Sequence, residues 1–265
     1  MNTLYIKHLV HSNKVVLISI TAVLLFYMST IMMMYDPTTV DAMMVYIEAL
    51  PEALIKALNF DMSEFTFLGF LSGYYYGFLA MTFPLIFSMM FSYNVLAKGI
   101  DTSSITHLLT SGKSRIEILM NILITYMMLL AIMILLLIGM SYVLTSLMFD
   151  GVSLDARFLT INLYLYLFHF MMGCLMLSAS ALIPSASLAL GAIIGLPLTS
   201  MVLDMVARLG DELAWLRFFS LHTLFNADSV VLNESIVFPV LIMVVISSAL
   251  ILSLFIGFKR RDIIV

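Results

Sequence analysis

Stretches without charge divide the chain. No Asp, Glu, Lys or Arg occurs in 15–35, 65–97, 118–149, 158–203 or 235–258. A bilayer core takes about 20 helical residues, so 15–35 and 235–258 each predict one crossing helix. The run 158–203 is long enough for two. Pro184 and the small residues after it in "IPSASLALG", 183–191, predict a tight turn between them. The runs 65–97 and 118–149 exceed one span but fall short of two with a loop. They predict two long helices that project past the hydrocarbon and hold 98–117 clear of it. The pattern reads as an all-α integral membrane protein, one transmembrane domain over 1–265. Its six transmembrane helices fall at about 15–35, 67–97, 118–149, 158–181, 187–207 and 236–258.

Two further segments carry helical periodicity outside the spans. In 40–60, Met43, Met44, Ile47, Leu50, Leu54 and Leu58 recur at helical spacing, Glu52 and Lys56 form an i,i+4 pair, and Pro51 divides the stretch. In 211–231, Leu213, Leu216, Phe219 and Leu224 are apolar, and Trp215 suits a membrane interface. Both read as amphipathic outer helices lying at the membrane surface.

Composition agrees with the pattern. Hydrophobic residues make up 63% and charged residues 11%, with mean hydropathy +1.12, which excludes an ordinary soluble domain. Cys174 stands alone inside an apolar run, which excludes a disulfide framework and a thiolate metal cluster. The first apolar run is too long for a cleavable signal and reads as a retained span.

Orientation follows the basic residues. Lys7, Lys14, Lys98, Lys113, Arg115, Lys259, Arg260 and Arg261 gather on one side against Asp101, Glu117 and Asp262. Lys56, Arg157, Arg208 and Arg217 face all the other acids. The first side is expected to be cytoplasmic, with both termini on it, in a multi-pass protein of the cell (plasma) membrane.

The cytoplasmic segment contains "LLTSGKSR", 108–115. Gly-Lys-Ser ends a phosphate loop, but that loop needs a first glycine where His107 stands, a preceding strand and amides where Leu108 and Leu109 stand. ATP binding by this chain is excluded. Asp101, Thr102, Ser103 and Ser104 are helix starters, with Asp101 the expected cap. Ile105, Leu108 and Leu109 would share one face. A short helix with an apolar stripe and a basic end, on two stiff helices, is suited to docking in another protein's groove.

At this segment "DTSSITHLLTSGKSR", 101–115, resembles the cytoplasmic loop after the second span of type-2 ABC transporter permeases, the six-span exporter class. Asp101, Ser104, Leu108, Leu109, Ser114 and Arg115 match that pattern. Gly112 stands where the family usually has proline, and Ser103 where it often has glycine. "ALPEALIKAL", "WLRFFSLHTLFN" and the ending "GFKRRDIIV" are similar to the same family. The resemblance implies a permease working as a dimer, with itself or a sister chain, bound to two separate ABC ATPase subunits that carry ATP and Mg. The coupling helix would lie in 98–117, with Asp101, Ser104, Ile105, Leu108, Leu109, Gly112, Lys113, Ser114 and Arg115 as the ATPase-coupling residues. "LYIKHLVHSNK" would be an interfacial helix along the inner leaflet, with Tyr5, Leu9 and Val10 toward lipid.

Asn162, Tyr166, His169 and Gly173 follow i, i+4, i+7, i+11 and share a helix face. Asn162, Tyr166 and His169 are the candidate substrate pathway, although a neutral His169 bonded to a neighbouring helix is the commoner state. Asp204 and Arg208 read as a structural i,i+4 pair. Small residues in 185–195 allow close helix approach, within the chain or at a dimer seam. The spans hold no chain of carboxylates of the kind an ion-driven carrier needs. The expected cargo is therefore apolar or amphipathic: a peptide, a lipid-like molecule or an antibiotic. No cofactor, metal or catalytic residue on this chain and no nucleic-acid partner is expected, since HExxH and GxSxG are both absent. The alternative is a self-sufficient secondary carrier or channel, which needs no rigid docking segment.

Overall fold

The computed structural model describes residues 3–35, 51, 54–55, 66–102, 104–110, 112–149 and 152–261. Among these the chain is all-helical, and six helices are long and apolar enough to cross a membrane.

Helix α1 is Thr3–Met34. The separate interfacial helix expected at its start is absent: the helix runs unbroken into the first span. Thr3–Tyr35 contains neither glycine nor proline, and the polar residue at the junction turns inward on the helix itself. The Asn13 amide donates to the Leu9 carbonyl at 2.9 Å. Nothing there favours a break.

The second span is not the single long helix expected. It runs as α2 (Phe67–Leu71), a π-helical turn (Ser72–Tyr76), a turn at Gly77–Phe78, α3 (Leu79–Ser92), a second π-helical turn (Tyr93–Ala97) and α4 (Lys98–Asp101). Gly73 within the first π-helical turn and Gly77 just after it lower the helix preference there. Pro84, inside α3, lacks the N–H that would reach the carbonyl four residues back. The short α5 (Ser104–Thr110) then leads through a corner into α6, Arg115–Met148.

Helix α7, Ala156–Leu182, is the centre of the bundle. It packs against the second span, α6, α8 (Ala186–Ala207) and the last span, and 72% of its most apolar window is buried. Asp155 starts it by accepting from Arg157 N and Phe158 N. The turn expected at Pro184 closes α7 onto α8, where Ser185 accepts from Leu188 N at 3.3 Å. Gly173 permits a close approach: its missing side chain leaves room for the Tyr126 ring of α6. At the far end from the termini, the Tyr35, Phe67 and Phe149 rings meet at centroid distances of 4.9 to 5.7 Å and close α1, α2 and α6 together.

The outer segment 211–231 is not one helix. It forms a 3-10 helix at Asp211–Phe219, a 3-10 turn at His222–Leu224 and α9 at Ala227–Val231, before α10 (Val237–Arg260). The Ser200 hydroxyl of α8 takes the N–H groups of Leu221 and His222 at 2.8 and 3.2 Å. Those donors are thereby lost to a continuing helix. Trp215, Phe218 and Phe219 stay exposed. Apart from Pro51, Leu54 and Ile55, the outer segment 40–60 lies outside the described residues.

Candidate functional site

The candidate coupling segment begins with a corner. Gly112 has φ +83°, and its N–H reaches Leu109 O at 3.1 Å while Lys113 N–H reaches Leu108 O at 3.4 Å. This pair of bonds is the Schellman closure of a helix, which wants a glycine in the left-handed region. Ser114 then starts α6, its hydroxyl accepting from Glu117 N at 3.1 Å, and Lys113 lies 3.6 Å from Glu117. Gly-Lys-Ser is therefore a helix–corner–helix junction: glycine ends one helix and serine begins the next.

The apolar stripe of α5 faces inward. Ile105 is buried against Gly99, and Leu108 and Leu109 are half-buried on the core. This corrects the expectation of an apolar face turned toward a partner. The outward residues are Ser104, His107 and Thr110, followed by Gly112 and Ser114. Among the described residues, Asp101, the expected cap of α5, reaches across to another helix. Its carboxylate accepts from Ala186 N, at the start of α8, at 3.3 Å.

Two arginines bind this segment into the bundle. Arg115 Nη1 donates to the carbonyls of Phe258, Lys259 and Arg261 at 2.8, 3.1 and 2.6 Å. It thus covers the open carbonyl end of α10, where a cation also meets the negative end of the helix dipole. Arg261 does the same for α7, reaching Ser180 O and Ala181 O at 3.0 Å and Pro184 O at 2.6 Å. Burial pulls the Arg261 guanidinium below its ordinary range, and Asp101 opposes that shift. Asp101, Arg115 and Arg261 thus join the start of α8 and the ends of α7 and α10 to the segment 98–117.

The polar stripe of α7 lies in a closed seam. Asn162 is buried and donates to the Tyr76 hydroxyl at 2.8 Å. His169 is fully buried, with Nε2 2.8 Å from Ala80 O. Ala80 is the residue four before Pro84, so its carbonyl is the one Pro84 leaves without a helical partner. His169 supplies the missing donor, which places its proton on Nε2. The other ring nitrogen, Nδ1, has no partner among the described residues. The Tyr126 hydroxyl donates to His169 O at 2.8 Å and lies 2.8 Å from Ser88. Tyr166 stands apart: it is half-buried, stacked on Phe170, with its hydroxyl 3.4 Å from Met127 O. Cys174 is buried as a free thiol.

At the far end Asp204 and Arg208 pair at 2.9 Å, as their spacing requires. His222 is buried with Nδ1 2.9 Å from the Ser200 hydroxyl. Burial pushes its imidazole down to about 3, and His169 and Arg208 add to the shift. The hydroxyl of Ser72, in the first π-helical turn, donates to Asp228 of α9 at 2.8 Å.

Sequence reasoning missed Arg261, Tyr126, Tyr76 and the Ser200 anchor. Pro84 was a usable signal for an orphaned carbonyl at Ala80. Nothing local in the sequence names the donor that finds it. Among the described residues, no group of three or more His, Cys, Asp or Glu side chains is placed to hold a metal ion. No family model, curated protein or solved structure matches this chain.

Proposed function

We propose that this chain is the membrane-spanning permease subunit of an ATP-driven exporter of the type-2 ABC class. In this reading it works as a dimer, and separate ATPase subunits drive it through the segment 98–117, on the cytoplasmic side. The observation that carries the reading is the way α5 is held. Its apolar side is fixed on the core, its corner is closed at Gly112, and Asp101 and Arg115 tie its flanks to α8 and α10. A push on such an element moves spans and is not absorbed by a loop. The order of family-like stretches along the chain supports the same reading.

The docking surface in this reading is the outward edge Ser104, His107 and Thr110 with the basic Lys113, and not the leucines. The cargo is apolar or amphipathic. It would have to part or bypass the seam made by Asn162 with Tyr76 and His169 with Ala80.

The test is reconstitution in liposomes with the ABC-type ATPase subunits of the same cell, reading ATP hydrolysis. Thr110→Trp and His107→Glu should abolish association and stimulated hydrolysis while leaving the thermal midpoint of the permease unchanged. Transport by the chain alone, with both variants silent, would overturn the proposal in favour of a self-sufficient carrier or channel.

A further inference from the structure

The first turns of α1 stand apart from the second π-helical turn, α4 and α5, and the space between is a cleft of about 820 Å³. Its depth in the membrane follows from length. A helix of 32 residues reaches about 48 Å, against a hydrocarbon core of about 30 Å. The charge-free part of α1 begins at Val15, so the first dozen or so residues project beyond the core. Those residues make one wall of the cleft. The cleft therefore lies at the level of the lipid headgroups.

Its chemistry is two-sided. Leu9, Val95 and Ile105 form buried apolar surface. Lys98, His8 and His107 are exposed along the same space. Among the described residues no Asp or Glu lines it, and Lys98 has no ion-pair partner. Deeper in, Asn13 lines the cleft while almost fully buried, and its amide oxygen has no partner among the described residues. The site thus offers a cation and imidazoles for an anion, a buried acceptor for a hydroxyl or ammonium donor, and apolar walls for an acyl chain. A free phosphate would leave the walls unused. Phosphatidylcholine could set its phosphodiester against Lys98, but it has no N–H or O–H for the Asn13 acceptor, and its own choline cation offsets the charge that Lys98 would meet.

We propose that this cleft binds one anionic glycerophospholipid from the leaflet at this end of the bundle. The phosphodiester lies against Lys98, and the start of an acyl chain meets the apolar part of the lining. A pocket of this size suits a headgroup with the first part of its chains. The inference does not rest on coupling to an ATPase, because every contact it uses belongs to this chain alone.

The experiment is a thermal-unfolding titration of the full chain in neutral detergent, read by the fluorescence of Trp215, the only tryptophan. The additions are dioleoyl-phosphatidylglycerol, dioleoyl-phosphatidylcholine and inorganic phosphate. A ligand that binds only the folded chain raises the midpoint saturably. Phosphatidylglycerol should do so, and the other two should not. Lys98→Gln should weaken half-saturation about five- to tenfold. Lys14→Gln, on α1 but outside the cleft lining, should leave it unchanged. Ser12→Phe, which fills the cleft from a solvent-exposed position, should remove the saturable rise while keeping the lipid-free midpoint. Should Lys98→Gln fail to fold, His8→Gln serves in its place. Three results overturn the proposal: equal effects of the two lipids, equal losses for Lys98→Gln and Lys14→Gln, or an inorganic-phosphate effect matching that of the lipid.

Discussion

Replacing Gly173 with alanine tests the packing of α7 against α6. A Cβ at Gly173 would clash with Cζ, Cε1 and the hydroxyl of Tyr126. To regain a carbon–carbon separation of about 3.5 Å, the ring would have to move by roughly 1 Å or more. Tyr126 is fully buried between Phe87 and Phe91, so it has no free direction. Its hydroxyl would also leave His169 O and Ser88, each now 2.8 Å away. Overpacking of this kind costs about 1–3 kcal/mol, and each hydrogen bond lost about 1 kcal/mol. The gain in helix preference from glycine to alanine returns about 1 kcal/mol. The net expectation is a loss of about 3 kcal/mol, which lowers the thermal midpoint of a chain this size by roughly 6–12 °C. The control is Gly191→Ala on α8, where a Cβ meets nothing within 4 Å; it should be neutral or slightly stabilising. Adding Tyr126→Leu to Gly173→Ala should restore part of the loss, so that the two changes are not additive. If Gly173→Ala melts with Gly191→Ala, the close approach of α6 and α7 described above is refuted.

Other perturbations test other joints. Gly112→Ala meets no side-chain obstacle, so its expected loss of about 1–2 kcal/mol is backbone strain alone. Gly112→Asn should lose less, since asparagine tolerates the left-handed region, and equal midpoints for all three would contradict the Schellman corner. His169→Ala leaves the Ala80 carbonyl orphaned in a buried site, at a cost of about 1–3 kcal/mol. His169→Gln keeps a donor and should recover part of that, and identical midpoints for the two variants would show that the bond contributes nothing. His222 makes stability depend on pH. Its folded value is about 3, against 6.5 when free, so the unfolded chain takes up the proton first. The stabilisation is complete above pH 6.5 and is lost as pH falls from there toward 3. Between pH 7.5 and pH 5 the loss is about 2 kcal/mol. His222→Asn should flatten the midpoint over that interval, and a wild-type profile already flat there would contradict the burial of the imidazole.

What was legible in the sequence follows from what the bilayer forbids. Hydrocarbon tolerates neither unpaired charge nor unpaired backbone, so five charge-free runs, the longest divided by the turn signal at Pro184, could be read as six spans. Interruptions were less legible because they depend on partners. Pro84 announces a free carbonyl at Ala80, but His169 answers from another helix, 89 residues along the chain. Asp101 has the local signature of a cap for α5, yet its recorded bond is to Ala186, 85 residues away. The α7 stripe was correctly placed on one face by its spacing, but spacing cannot say whether a face meets a void or a neighbour. Here Asn162 and His169 meet Tyr76 and Ala80. Polar side chains in these spans are thus largely committed to backbone groups and helix ends that would otherwise be unsatisfied. A polar residue already engaged in that way is costly to divert to a cargo, because its old partner is left bare in a dry interior. In the proposed exporter, contacts with the cargo should therefore be sought first at groups carrying no such duty, and the exposed aromatic edge Trp215, Phe218 and Phe219 ranks ahead of His169.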